Sequence, residues 1–266
     1  MSASSQRVCI WSGVAFMVLF FLGFGVIAQY IPPPNPANSA AEVAERYREN
    51  ANAIRTGMLI SMYALVLYVP WVAALATQMK RIEGKHTPLS WAQLALGAGL
   101  PVAFFPALYY FQVAAFRPER SDEAIQQLND MGWLPFTGII YAITVQNVVV
   151  GAAVLMDKRP EPVFPRWYAY FCFWTGLLYC PASLDVYFKD GPLAWNGLFS
   201  WWLSLVSFFA WLVVTSALMA KAISHQEREE SAPTSAPLHL RSSAPTDGHA
   251  SAAEVAQQQE TVGPTV

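Results

Sequence analysis

Six stretches of this chain are each long enough and apolar enough to cross a bilayer, and none carries Lys or Arg in its middle. They cover residues 8–30, 56–79, 91–116, 133–156, 167–188 and 195–220. A helix needs about 20 mostly apolar residues to span the hydrocarbon. Without water to satisfy backbone N–H and C=O groups there, such segments must be helical. Pro32, Pro33, Pro34 and Pro36 stop the first one. Composition agrees, at 55% hydrophobic and 13% charged residues, against about 45–50% and about 25% in soluble domains. An ordinary soluble enzyme is therefore excluded. A net charge of −2 with no basic patch argues against nucleic acid as a partner, and three Cys argue against a disulfide-stapled module. The expected fold is all-α: a polytopic membrane helix bundle of six transmembrane helices over residues 1–223, with the lipid bilayer as its first partner.

Cations near span ends set orientation. Six spans put the N-terminus, the second and fourth loops and the C-terminal segment on one side. That side holds ten of the 16 Lys and Arg residues, among them Lys80, Arg81, Lys158, Arg159 and Lys221. The other side holds six, mixed with acids in longer loops. Both termini are expected to be cytoplasmic, in the cell (inner) membrane. Trp91 and Trp167 at one face, and Trp133 and Trp195 at the other, suit the interfacial aromatic belts. Arg7, the apolar stretch and Val26-Ile27-Ala28 also fit a signal peptide with a small-residue cleavage site. The apolar stretch exceeds the usual h-region of about 7–15 residues, so an uncleaved first helix is the expectation.

Two external loops read as short amphipathic helices. Ser39 with Glu42 matches a capping box, and Val43, Tyr47, Ala51 and Ile54 form one apolar face leading into the second span. Ser121 or Asp122 can cap a second helix through Asp130, with Ala124, Ile125 and Leu128 as its apolar face. Residues 224–266 are rich in Ser, Ala, Pro, Thr and Gln without apolar periodicity, which predicts a disordered cytoplasmic tail.

Position also decides which chemistry is absent. His86, His225, His239 and His249 all lie outside the spans, which removes His-built metal, haem and proton-relay sites. No nucleophile elbow, P-loop or paired-Cys spacing occurs. Cys172 and Cys180 are about two helical turns apart, too far to bond. No cofactor and no metal site is expected, and an enzyme is the least favoured class.

Polar residues inside the membrane are functional candidates by default. On the fourth span Thr137, Thr144, Asn147 and Gly151 share a helical face, with Gln146 beside Asn147 near mid-depth. On the sixth, Asn196, Ser200, Ser204, Ser207, Trp211 and Thr215 form a stripe. On the fifth, Asp185 is the only acid inside any span. The stripes have a plain reading as helix-packing contacts, and Asp185 can snorkel outward or pair with Lys189. The functional reading joins Asn147, Gln146, Thr144, Asp185, Asn196, Ser200, Ser204 and Ser207 around a polar cavity between spans four, five and six. Leu67-Tyr68-Val69-Pro70 and Leu178-Tyr179-Cys180-Pro181 hint at inverted halves, although a four-residue match also arises by chance.

The stretch from Arg117-Pro118-Glu119-Arg120 to Leu128-Asn129-Asp130-Met131-Gly132-Trp133 resembles a segment of an uncharacterised family of bacterial six-span integral membrane proteins. The resemblance implies a bacterial inner-membrane setting and transfers no functional residue. Two functional readings follow from the residues. One is a non-catalytic accessory or assembly protein whose partner is another membrane protein. The other is a carrier or binding protein for a small or lipophilic ligand.

Overall fold

A computed structural model describes residues 2–231, whose only regular secondary structure is helical, with no strand among them. The elements are α1 (Ala3–Phe20), α2 (Ala40–Glu83), α3 (Pro88–Phe116), α4 (Asp122–Gly138), α5 (Tyr141–Met156), α6 (Arg166–Tyr179) and α7 (Leu203–Ser231). Five helical stretches are long and apolar enough to cross a membrane: Ala3–Ile27, Ala40–Glu83, Pro88–Phe116, Asp122–Met156 and Leu198–Ser231. Their outward faces carry exposed Trp11, Tyr63, Val102, Val145 and Val206. Such faces suit lipid, and a soluble monomer rarely displays apolar surface on this scale. Met1–Glu230 is one compact unit.

Local chemistry explains most boundaries. The Ser39 capping box is complete: the Glu42 N–H donates to Ser39 Oγ at 3.4 Å, and the Ser39 N–H donates to Glu42 Oε2 at 2.7 Å. From there α2 runs for 44 residues with a kink at Asn50. At 1.5 Å per residue that is about 66 Å, roughly twice the hydrocarbon thickness. The helix of the first long loop and the second span are thus one continuous element. Gly84, at φ +74°, ends it in a backbone conformation that side chains disfavour. Glu83 then turns back to accept the Leu89 and Ser90 N–H groups at 2.8 and 2.7 Å, capping α3.

Ser121 caps α4 by accepting the Ala124 N–H at 3.3 Å, with Asp122 and Glu123 favourably placed in the first turn. The helix does not stop near Asp130. It passes through Trp133 to Gly138, so the loop helix takes in the start of the fourth predicted span. Arg48 ties α4 to α2, donating to Asp122 at 2.6 Å and to the Pro118 carbonyl at 2.9 Å.

Four departures from α-geometry interrupt the bundle. Phe21–Ile27 extends α1 in a wider π-type winding. Between α4 and α5 the chain breaks at Ile139–Ile140, after Pro135 has removed one backbone donor. The fifth predicted span is a 14-residue α6 followed by 3₁₀ winding over Cys180–Tyr187. Leu198–Trp202 enters α7 as π-type winding. The sixth predicted span therefore starts its helix at Leu198, with Asn196 in the preceding turn, and continues past residue 220 to Ser231. Of the segment read as a disordered tail, residues 224–231 continue α7, and 232–266 lie outside the described residues.

The N-terminus, the α2–α3 turn, the α5–α6 loop and the end of α7 meet at one end of the bundle. There Gln78 donates to Gln226 at 3.3 Å, and Arg7 pairs with Glu227 and Arg81 with Glu229. In the α5–α6 loop, burial works to raise the Asp157 carboxyl. Hydrogen bonds from the Arg159 side chain, the Val163 N–H and the Arg159 N–H outweigh burial and hold it below the usual carboxylate range.

Gly23 and Gly57 let α2 approach the π segment, since a Cβ on Gly57 would lie 2.4 Å from the Gly23 carbonyl oxygen. Gly57→Ala should therefore destabilise by about 1–3 kcal/mol, as overpacking does, in thermal unfolding in detergent. Gly99→Ala, which meets nothing within 4 Å, should be neutral or stabilising. Asp157, with its lowered folded pKa, stabilises the fold above its unfolded value of about 3.9. That contribution is lost as pH falls through the folded pKa. Asp157→Asn should lower the melting temperature at pH 7 and narrow its gap from wild type as pH drops below about 4.

Candidate functional site

The interior is an aromatic column. Phe24, in the π segment, stacks on Phe136 of α4 with ring centroids 4.7 Å apart and planes 7° apart. Trp133 and Trp201 pack on both rings, and Tyr30 and Phe111 close the column on one side. Gly132 makes this possible, since a Cβ there would fall 2.3 Å from the Phe111 ring. Offset and edge contacts of this kind contribute about 0.5–1.5 kcal/mol each beyond burial.

Beside the column lies a cavity of about 120 Å³. Its walls include Phe20, Phe104, Phe136, Tyr179, Ser204 and Phe208. Two interruptions of the helices border it directly, and the helix ends that precede the other two reach its wall. Phe20 precedes the first π segment, Ile139 and Ile140 are the α4–α5 break, Tyr179 ends α6, and Ser200 and Trp201 belong to the second π segment. The lining is overwhelmingly aromatic and aliphatic. Ser200 donates to the Leu193 carbonyl at 2.8 Å, whereas the Ser204 hydroxyl is buried without a hydrogen-bond partner. An apolar cavity of about 150 Å³ stays dry and admits benzene, which sets the scale of what this one holds.

The residues expected to share one polar cavity fall into three groups, with Ser207 and Asn196 outside all of them. Ser200 and Ser204 line the cavity. Asn147 and Gln146 are fully buried between helices. Asn147 accepts from the Thr175 hydroxyl of α6 at 2.8 Å and donates to the Ile143 carbonyl at 2.9 Å. Gln146 accepts from the Tyr68 hydroxyl of α2 at 3.3 Å, and Gly97 of α3 leaves the room for its amide nitrogen. Thr144 lies one turn from the cavity, its hydroxyl unpartnered. Asp185, 2% exposed, forms the third group. It accepts from the Thr137 hydroxyl on α4 rather than pairing with Lys189, and Thr137 itself lines the cavity. Ser207 is buried on α7 away from the lining, and Asn196 is partly exposed.

The break at Ile139–Ile140 also separates Thr137 from Thr144 and Asn147, so these residues do not share one continuous helical face. On α7, Thr215 bonds the Tyr168 hydroxyl at 2.6 Å and Ser216 accepts from the Trp71 indole at 2.8 Å. Sequence reasoning missed Tyr68, Thr175 and Tyr179 as members of the site. The Leu-Tyr-x-Pro motifs contained the two tyrosines, and their backbones differ: Pro70 lies inside α2, whereas Pro181 is the second residue of the 3₁₀ winding.

No known family, no curated protein and no solved structure matches this chain. Among the described residues, no group of three His, Cys, Asp or Glu side chains is placed to hold a metal ion. The geometry itself carries the functional argument. Asn147→Leu should remove the α5–α6 hydrogen bond and destabilise by about 0.6–1.7 kcal/mol, the range for such bonds between membrane helices. Thr175→Val should cost a similar amount, and the double variant less than the two single costs combined, measured by reversible unfolding in detergent.

Proposed function

We propose that the chain is a multi-pass membrane protein that binds one compact apolar molecule, or the apolar end of a longer one, in the cavity beside Phe136. The meeting of two helix interruptions, the Ile139–Ile140 break and the Leu198–Trp202 π segment, at one apolar cavity carries this reading. Non-helical backbone at membrane depth is tolerated where it is buried in protein or lines a cavity, and π segments recur at functional sites. Six crossings fit the element lengths. The α6 helix and the 3₁₀ segment rise about 21 and about 16 Å, which together exceed the hydrocarbon thickness of about 30 Å. In this arrangement both termini face the cytoplasm of an inner membrane, and the start of α2 and most of α4 lie outside. The Ser204 and Tyr179 hydroxyls and the Trp201 indole N–H, all buried at the cavity wall without a hydrogen-bond partner, favour a ligand with a polar end that can accept from them.

A second reading, a non-catalytic accessory protein with no ligand, is favoured by the hydrogen bonds from Asn147, Thr215 and Ser216 to neighbouring helices. Filling the cavity separates the two. Ser204→Leu adds carbon to the void without touching those bonds, so the fold should keep its melting temperature. Photolabelling by an apolar phenyldiazirine of peptides containing Tyr179 and Phe208 should then be mostly lost, while labelling at lipid-facing Val102 and Trp174 persists. Equal labelling of Tyr179 and Phe208 in wild type and Ser204→Leu would leave only the accessory reading.

A further inference from the structure

A second cavity, of about 510 Å³, lies at the end of the bundle where the N-terminus and the end of α7 meet. Its walls come from the end of α2, the α5–α6 loop and the last turns of α7. The volume falls within the range of about 300–1,000 Å³ typical of small-molecule sites.

Its charge is unevenly satisfied. The lining contributes four cations, Arg81, Arg159, Lys221 and Arg228, and two acids, Glu161 and Glu229. Both acids are already engaged. Glu229 holds Arg81 at 2.7 Å, and His225 lies between the two, 2.6 Å from Glu161 and 3.0 Å from Glu229. Behind the wall, Asp157 holds Arg159 through Nε and Nη2 at 2.9 and 2.8 Å and fixes the loop through the Val163 N–H. Arg159 Nη1 and Arg81 Nε are left over as donors. Lys221 and Arg228 have no acidic partner among the described residues. Spaced seven apart, with His225 between them, they lie on the same face of α7.

The rest of the wall is apolar or neutral. Pro162, Val163, Ala220 and Ala222 sit beside the cations, and the Ser224 hydroxyl is turned to its own helix. A site with two unmatched cations, spare guanidinium donors and an apolar margin suits an anion carried on an uncharged skeleton. Arginine forks and lysine ammonium groups both match phosphate oxygens, and basic pockets between helix ends hold phosphorylated headgroups in membrane proteins.

We propose that this cavity binds a phosphate ester, with Lys221 and Arg228 as the charges that recognise it. A phospholipid headgroup and a soluble phosphate ester offer the same chemistry. The full chain, in nanodiscs of phosphatidylcholine and phosphatidylglycerol in equal parts, distinguishes them by native mass spectrometry after delipidation. For a lipid headgroup, wild type retains phosphatidylglycerol over phosphatidylcholine by at least about tenfold, in line with the attraction of two basic side chains. For a soluble ester, retention shows no lipid preference, and glycerol 3-phosphate binds wild type in phosphatidylcholine nanodiscs. In either case K221Q/R228Q loses the effect, and K189Q, at the other end of the bundle, keeps it. No lipid preference together with no glycerol 3-phosphate binding by wild type would overturn the proposal, whatever the variants do. Loss of the effect in K189Q equal to that in K221Q/R228Q would overturn it too.

Discussion

The stacking of Phe24 on Phe136 is the contact on which the rest of the interior depends. Each ring belongs to a stretch where the chain departs from α-geometry, one in the π segment after α1 and the other just before the α4–α5 break. Trp201, from the π segment leading into α7, packs against both. Backbone groups freed by an irregular winding have nowhere to go in hydrocarbon. Turned inward, they are covered by large rings, and in part they bond locally: the Ile139 N–H donates to the Pro135 carbonyl at 3.1 Å and the Ala28 N–H to the Gly23 carbonyl at 3.0 Å. The irregularities and the aromatic column therefore require each other.

The same constraint produces the cavity. Rigid rings and two π segments keep α1, α4 and α7 from closing on one another as straight helices would. Small residues do the opposite elsewhere. Gly57 draws α2 onto the π segment, and Gly151 draws α5 onto α6, where a Cβ would meet the Phe173 ring at 2.6 Å. Tight contacts around the rim and a void at the middle belong to one packing solution. The polar side chains divide accordingly. Asn147, Gln146 and Thr215 serve the tight contacts, and the polar atoms of Ser204, Tyr179 and Trp201 are left at the void.

Much of the fold was legible in the chain because the bilayer leaves so few options. Long apolar runs without central Lys or Arg mark helices directly, and the Ser39–Glu42 and Ser121 caps are local signals that the structure reproduces. The interruptions were harder to read. Pro135 and Pro181 sit at two of them, but Pro70, Pro101 and Pro106 lie inside helices that continue. Proline alone therefore does not mark a break. The π segments have no sequence signature beyond glycines and aromatics. Polar spacing on a presumed continuous helix grouped Thr137 with Asn147, and the break at Ile139–Ile140 parts them. Ser200 and Ser204, four apart in the chain, both border the cavity, although one lies in the π segment and the other in α7. The cavity's apolar character was hidden, since no periodicity distinguishes a ring that lines a void from one that fills it.

We propose that the interrupted helices hold a bound apolar molecule. Electron cryo-microscopy of the full chain in lipid nanodiscs tests this most directly. An occupied site gives density that protein atoms do not explain, bounded by Phe20, Phe104, Phe136, Tyr179 and Phe208 and reaching the Ser204 hydroxyl. A map in which α-helix runs unbroken from Pro135 through Ile143, with Phe208 or Leu205 side chains filling the void, would contradict it.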